Sequence, residues 1–185
     1  MVVPDKSKLY TVDEFEQFIA RPENSDRYFE LINGEIVEKV PTELHGYISV
    51  NVTTELRIWI KKTGKGRVVV EVRHQNPGDR YNARQPDISY YADASRPIVE
   101  KGAVYQMPDL AIEIKSPDDS YKKLREKADY YLEHGTKVVW LIYPEKRWVE
   151  VLTLADFHIA RAGEILDGGD LLPGFSMKVD DIFAG

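Results

Sequence analysis

Residues 108–117 read Pro108-Asp109-Leu110-Ala111-Ile112-Glu113-Ile114-Lys115-Ser116-Pro117. The run is short, apolar and bounded by proline, which predicts a strand. Side chains alternate between the two faces of a strand, so Ala111, Glu113 and Lys115 share one face and Leu110, Ile112 and Ile114 the other. A carboxylate and an ammonium therefore project together from an element whose other face is made for burial. Alone the triplet means little: with Glu and Lys each at roughly 6% abundance, an Asp/Glu-x-Lys triplet is expected about once in a chain of this length.

The neighbouring segments give it weight. Asp87-Ile-Ser-Tyr-Tyr91 reads as the preceding strand, and the loop over 93–107 lets the two run antiparallel. The start of the first then lies beside the end of the second, which brings Asp87 to Glu113 and Lys115 across 26 positions of sequence. Two carboxylates and the peptide oxygen of Ile114 would offer oxygen ligands to a hard cation such as Mg²⁺. A lysine beside such a metal can orient or deprotonate water and offset charge that builds on a phosphate. The plainer alternative is a strand-edge ion pair between Glu113 and Lys115, with Asp87 a turn residue after Pro86. Four Pro-Asp dipeptides occur, at positions 4, 86, 108 and 117, and only the second has the strand spacing this pairing requires.

Further out, Thr11 and Glu14 form a capping-box pattern ahead of an apolar helical face at Val12, Phe15, Phe18 and Ile19. Tyr28–Ile32 and Glu35–Val40 flank Asn33-Gly34, the signature of a hairpin with a type I′ turn. A helix over about 44–62 presents Ile48, Val52, Leu56, Trp59 and Ile60 on one side and stops at Gly64. Val68–Val72 is a strand. After Pro117, Asp118-Asp119-Ser120 offers caps for a helix to His134, closed by Gly135. Val138–Tyr143 is continuously apolar, as a strand covered on both faces should be, and Val149–Leu154 returns beside it, with Phe157–Arg161 a candidate for one more. The order predicts an α/β architecture: a central mixed sheet flanked by helices, with an N-terminal helix and β-hairpin.

The 185 residues carry no repeat, low-complexity tract or linker-like break, which predicts a single domain over 1–185. Cysteine is absent, excluding disulfides and thiolate metal sites. The N-terminus lacks the apolar core of a leader and no apolar run approaches bilayer length, so a cytoplasmic protein without membrane contact is expected. The four histidines are too far apart for a helical zinc pair, and neither a phosphate loop nor Gly-x-Ser-x-Gly is present. Net charge is −6, against a nucleic-acid partner, yet residues 57–84 hold eight basic and two acidic side chains. That stretch, with Lys61, Lys62 and Arg73, is either a phosphate grip or an ordinary solvated surface.

Pro86-Asp87 followed 26 residues later by Glu113-x-Lys115, with a helix after it, resembles the PD-(D/E)XK nuclease superfamily, and within it the Uma family of restriction endonucleases. The supporting segments run almost end to end: Leu9–Phe15, Tyr28–Glu35, His45 at a helix start, Pro86–Ser89, Pro108–Pro117, Lys127 with Tyr131 and Gly135, Val139–Pro144, Leu172–Phe175 and Asp181–Phe183. Two positions depart from the family pattern. Tyr143-Pro144 stands where Asp-Pro is common, and Thr136-Lys-Val follows Gly135 where a Val-Pro-Glu-like segment is usual.

The resemblance implies a restriction-endonuclease-like fold and Mg²⁺-dependent hydrolysis of DNA, with Mn²⁺ an alternative ion and 5′-phosphate and 3′-hydroxyl ends as products. Asp87 and Glu113 match the metal-binding acids and Lys115 the motif lysine. Glu30 matches a recurrent acid and is either a further ligand or a hairpin carboxylate paired with Arg27 or Lys39. Lys127, one turn from Tyr131, either reaches the site or lies at the surface. His45 either touches substrate or satisfies local hydrogen bonds at its helix start. Cutting both strands of a duplex favours a homodimer. The rival expectations are a nuclease fold retained only for DNA or protein binding, and a metal-dependent enzyme acting on RNA or another phosphate ester.

Overall fold

Thr11 caps the first helix, α1 (Val12–Ile19), reciprocally: its hydroxyl accepts from Glu14 N while the Glu14 carboxylate accepts from Thr11 N at 2.9 Å. The apolar face of α1, Val12, Phe15 and Phe18, packs with Phe29 and Leu31 of β1 (Tyr28–Ile32). β1 pairs antiparallel with β2 (Glu35–Lys39), Ile32 opposite Glu35. The turn between them holds Asn33 at φ 50° and Gly34 at φ 83°, the positive values a type I′ turn demands. These elements belong to a first compact unit built from residues 1–40, 72–85 and 99–107. There Leu31 and Ala83 exchange backbone hydrogen bonds at 2.9 Å, and His74 does the same with Arg84. The computed structural model describes residues 4–5 and 7–184; residues 1–3 and 6 of the N-terminal run, and Gly185, lie outside it.

A second compact unit comprises residues 41–71, 86–98 and 108–185. Both units are assembled from separated stretches of chain, which is why no linker or composition break marks them in the sequence. The second opens with α2 (Glu43–Thr63), capped by the Thr42 hydroxyl and ended by Gly64 in the left-handed region. Six strands form its sheet in spatial order β3 (Arg67–Val70), β4 (Ile88–Tyr91), β5 (Leu110–Ile114), β6 (Val138–Tyr143), β7 (Trp148–Leu152) and β8 (Phe157–Arg161). Every neighbouring pair is antiparallel except β5 and β6, which α3 (Tyr121–Glu133) connects in parallel.

Register separates the two faces of this sheet. Ile112, Trp140 and Val151 stand in one row and face a core completed by Ile48, Val52, Leu56 and Trp59 of α2. Glu113, Leu141 and Glu150 form the adjacent row on the opposite face, over which α3 lies. Covering both faces removes the alternation of polar and apolar residues, as the run Val138–Tyr143 foretold. The expected order of elements holds, including β8. Beyond it the fold adds a small antiparallel pair, β9 (Ile165–Asp167) with β10 (Ser176–Lys178), and the turn of helix α4 (Val179–Ile182), pieces of three or four residues too short for periodicity to reveal.

Candidate active site

The antiparallel register of β4 and β5 pairs Ile88 with Ile112, and continuing it one step sets Asp87 opposite Glu113. Both carboxylates are buried. Asp87 Oδ2 accepts a hydrogen bond from Ile114 N at 2.7 Å, so the first acid is fastened to the peptide that follows the second. His45 Nε2 lies 3.0 Å from the same oxygen. An ionised carboxylate only accepts, so Nε2 carries the hydrogen. The ring is aimed by the start of α2, where the Thr42 hydroxyl accepts from His45 N at 3.3 Å. His45 thus satisfies its helix start with its backbone and reaches an acid with its side chain.

Glu113 is held from α3. Tyr131 donates its hydroxyl to Oε1 at 2.6 Å, and Lys127 Nζ lies 2.9 Å from Oε2. The two donors are one helical turn apart, on the face α3 turns to the sheet. A buried carboxylate needs such partners, because an unpaired buried charge is strongly unfavourable. The same solution recurs two strands away in the same row: Glu150 receives Arg125 Nε at 2.7 Å and the Tyr143 hydroxyl at 3.0 Å. Burial and the adjacent Glu150 charge push the Tyr143 hydroxyl well above its usual range.

Lys115 leaves the sheet differently. Its ammonium sits 3.3 Å from Glu145 Oε1 and 3.2 Å from the Ser116 carbonyl, over the ring of Tyr121. Tyr121 also donates to Glu145 at 2.8 Å. Burial raises the Glu145 carboxyl, but the Tyr121 hydroxyl, a backbone hydrogen bond and Lys115 together outweigh it and hold the group below its ordinary range.

The other candidate residues are distributed between the units. Glu30, in the first, is buried and accepts from Gln85 N at 2.7 Å, while Arg27 pairs with Glu38 and Lys39 donates to the Gln85 carbonyl. Arg73, also in the first, pairs with Glu16 at 2.8 Å over the ring of Phe15. Arg84 is buried. Lys61 and Lys62 are exposed in the last turn of α2, in the second unit, about 24 Å along the helix axis from His45. The basic stretch of sequence is therefore split between the two units.

The donors at Asp87 and Glu113 are hard oxygens, as Mg²⁺ or Mn²⁺ prefers. Among the described residues no three of His, Cys, Asp and Glu gather as a metal-holding group. Two carboxylates with the Ile114 carbonyl still fit Mg²⁺, which commonly takes one or two protein carboxylates and keeps several waters. No helix among the described residues is long and apolar enough to cross a membrane. Sequence showed Tyr131 as the neighbour of Lys127 by its spacing of four; its bond to Glu113 depends on how α3 lies on β5, and nothing in the spacing reveals that.

A crystal structure of "a putative nuclease belonging to DUF820" from Anabaena variabilis ATCC 29413 is similar at 26% identity and TM-score 0.78, over 94% of this chain and 97% of that one. A cryoEM structure of a DrdV–DNA complex is similar at 13% identity over 74% of this chain and 13% of that one, with a TM-score of 0.33. No curated protein matches the chain. The model of a family described as "Uma2: Putative restriction endonuclease" matches residues 12–180. With that match spanning most of the chain and reaching into both compact units, the protein belongs to the Uma2 family.

Proposed function

We propose that this chain is a divalent-metal-dependent endonuclease that hydrolyses DNA phosphodiester bonds. The observation that carries the reading is the hydrogen bond from Ile114 N to Asp87 Oδ2, which ties two buried carboxylates of neighbouring strands into one acidic corner with Lys127 on the second. Asp87, Glu113 and the Ile114 carbonyl would hold Mg²⁺ or Mn²⁺. When bound, such an ion supplies Lewis acidity toward a phosphate oxygen and lowers the pKa of a water. His45 orients Asp87 by donating to Oδ2, and Tyr131 orients Glu113 by donating to Oε1. Lys127, the ammonium that touches Glu113, steadies the growing negative charge of the attacked phosphate. Lys115, held by Glu145 and Ser116, supports the end of β5.

A second reading, a nuclease fold kept for binding alone, draws on the same Glu113, because both of its oxygens accept hydrogen bonds from protein donors. Incubation with supercoiled plasmid, single-stranded DNA and RNA separates the two, with chelator or with Mg²⁺ or Mn²⁺. Nicking or linearisation that needs the metal and disappears in Asp87→Asn and Glu113→Gln, both with unchanged circular dichroism, supports the endonuclease. DNA binding without cleavage under any condition establishes the binding module, and cleavage confined to RNA moves the substrate class.

A further inference from the structure

Lys115 follows the last residue of β5 on the face that carries Glu113, two residues and about 6.6 Å further along. Its flexible four-carbon stem is long enough to bring Nζ back toward the acidic corner. Three groups hold it elsewhere. Glu145 Oε1 lies 3.3 Å from Nζ, the Ser116 carbonyl accepts at 3.2 Å, and the Tyr121 ring lies beneath, its centroid 5.3 Å away. Glu145 is held in turn: Tyr121 donates its hydroxyl to the same Oε1 at 2.8 Å, while its ring stacks on that of buried Tyr143. Tyr121 opens α3 and Glu145 sits on the short turn Pro144–Lys146 after β6, so α3, that turn and the end of β5 meet at one ammonium. The strand end has a second support. Lys115 N donates to Ile142 O at 2.9 Å, so the side chain can let go while β5 stays paired with β6. Exposure makes the hold reversible: the Lys115 side chain is 8% exposed but that of Glu145 is 42%, and water competes for the carboxylate.

We propose that Glu145 and Tyr121 form an autoinhibitory clasp that withholds the Lys115 ammonium from a DNA phosphate at the acidic corner. This rests on the endonuclease reading of that corner and concerns its regulation. With the clasp closed, Lys127 is the ammonium at the corner; with it open, Lys115 adds a second positive charge beside the attacked phosphate. Glu145 and the phosphate therefore compete for one cation. An ion pair with one partner half in water favours the closed arrangement about fivefold, and affinity and rate fall by about that factor when the competent arrangement is the minor one. Glu145 is thus a positioning residue that acts through Lys115, and Tyr121 positions Glu145.

Fluorescence anisotropy with duplex DNA under Ca²⁺, and single-turnover plasmid cleavage under Mg²⁺, test it on the full chain. Glu145→Ala should bind DNA about fivefold tighter and cleave about fivefold faster, with unchanged circular dichroism. Its affinity should also depend more steeply on salt, the logarithmic slope growing by about 0.9 for one further phosphate contact. Adding Lys115→Met should return affinity, slope and rate to those of Lys115→Met alone. Glu145→Gln, which keeps the shape and removes the charge, should move them in the same direction by less, and so should Tyr121→Phe. Glu126→Ala, which removes an exposed carboxylate from α3, should leave them unchanged. No gain in affinity in either Glu145 variant overturns the clasp, whether or not the wild type cleaves. So does a gain that survives Lys115→Met, or one that leaves the rate of a cleaving chain unchanged. An affinity gain that needs Lys115, in a chain that cleaves under no condition, supports the clasp and overturns the endonuclease reading.

Discussion

Lys127 Nζ lies 2.9 Å from Glu113 Oε2, with the two side chains 14% and 3% exposed. α3 thus lowers a cation onto the one acid of β5, and stability and chemistry meet in a single contact. Lys127→Met leaves that carboxylate buried and short of its charge partner, so urea denaturation should show a loss of about 3–5 kcal/mol. Adding Glu113→Gln should recover most of the stability and none of the cleavage. Single-turnover cleavage by Lys127→Met should fall about 10²–10³-fold, whereas Lys115→Met, whose ammonium is occupied by Glu145, should cost less than about tenfold. Equal losses in the two variants would give Lys115 the role assigned to Lys127.

Tyr131→Phe removes one hydroxyl from a fully buried ring and deprives Glu113 Oε1 of its 2.6 Å donor. A hydrogen bond to a charged acceptor is worth about 1.5–3 kcal/mol, so the unfolding free energy should fall by that amount, read as a lower urea midpoint with the slope unchanged.

His45→Ala takes a donor from Asp87 without touching β4 or β5. Partners of this kind typically alter metal affinity by about 10–100-fold, and calorimetry with Mn²⁺ alone, without DNA, should show a weakening in that range. Unchanged Mn²⁺ affinity with reduced DNA affinity would make His45 a substrate contact instead.

The raised Tyr143 hydroxyl gives an alkaline signature. Burial, then the Glu150 charge, makes the folded protein hold this proton more tightly than the unfolded chain, where tyrosine ionises near pH 10. Stability is therefore at its full value below about pH 10 and declines as pH rises above it, because the unfolded state gives up the proton first. Urea midpoints of wild type and Tyr143→Phe should converge as pH is raised from about 9 to 11.5.

With a net charge of −6, the chain should bind duplex DNA weakly under chelator. Fluorescence anisotropy should show tighter binding when Ca²⁺ or Mg²⁺ offsets the acids. In the metal-bound state, raising salt from about 50 to 200 mM should weaken affinity steeply, and a flat response would rule out a phosphate-backbone grip.

Local sequence was enough for the capping box at Thr11 and Glu14, the hairpin at Asn33-Gly34, the stop at Gly64 and the core stripe of α2. Each rests on contacts between residues one to four positions apart or on a single backbone angle. It was enough, too, for the approach of Asp87 to the end of β5, since strand alternation and an antiparallel return leave little choice of register. The partners of the charged side chains were a different matter. In the sequence Lys115 shares a strand face with Glu113 and Lys127 is open between site and surface, yet the crossover of α3 onto β5 decides that Lys127 takes Glu113 while Glu145, after β6, takes Lys115. The basic run 57–84 reads as one patch until the chain passes from the second unit to the first within it. Side-chain pairing over long sequence distances is set by how elements stack, and no periodicity along the chain encodes it.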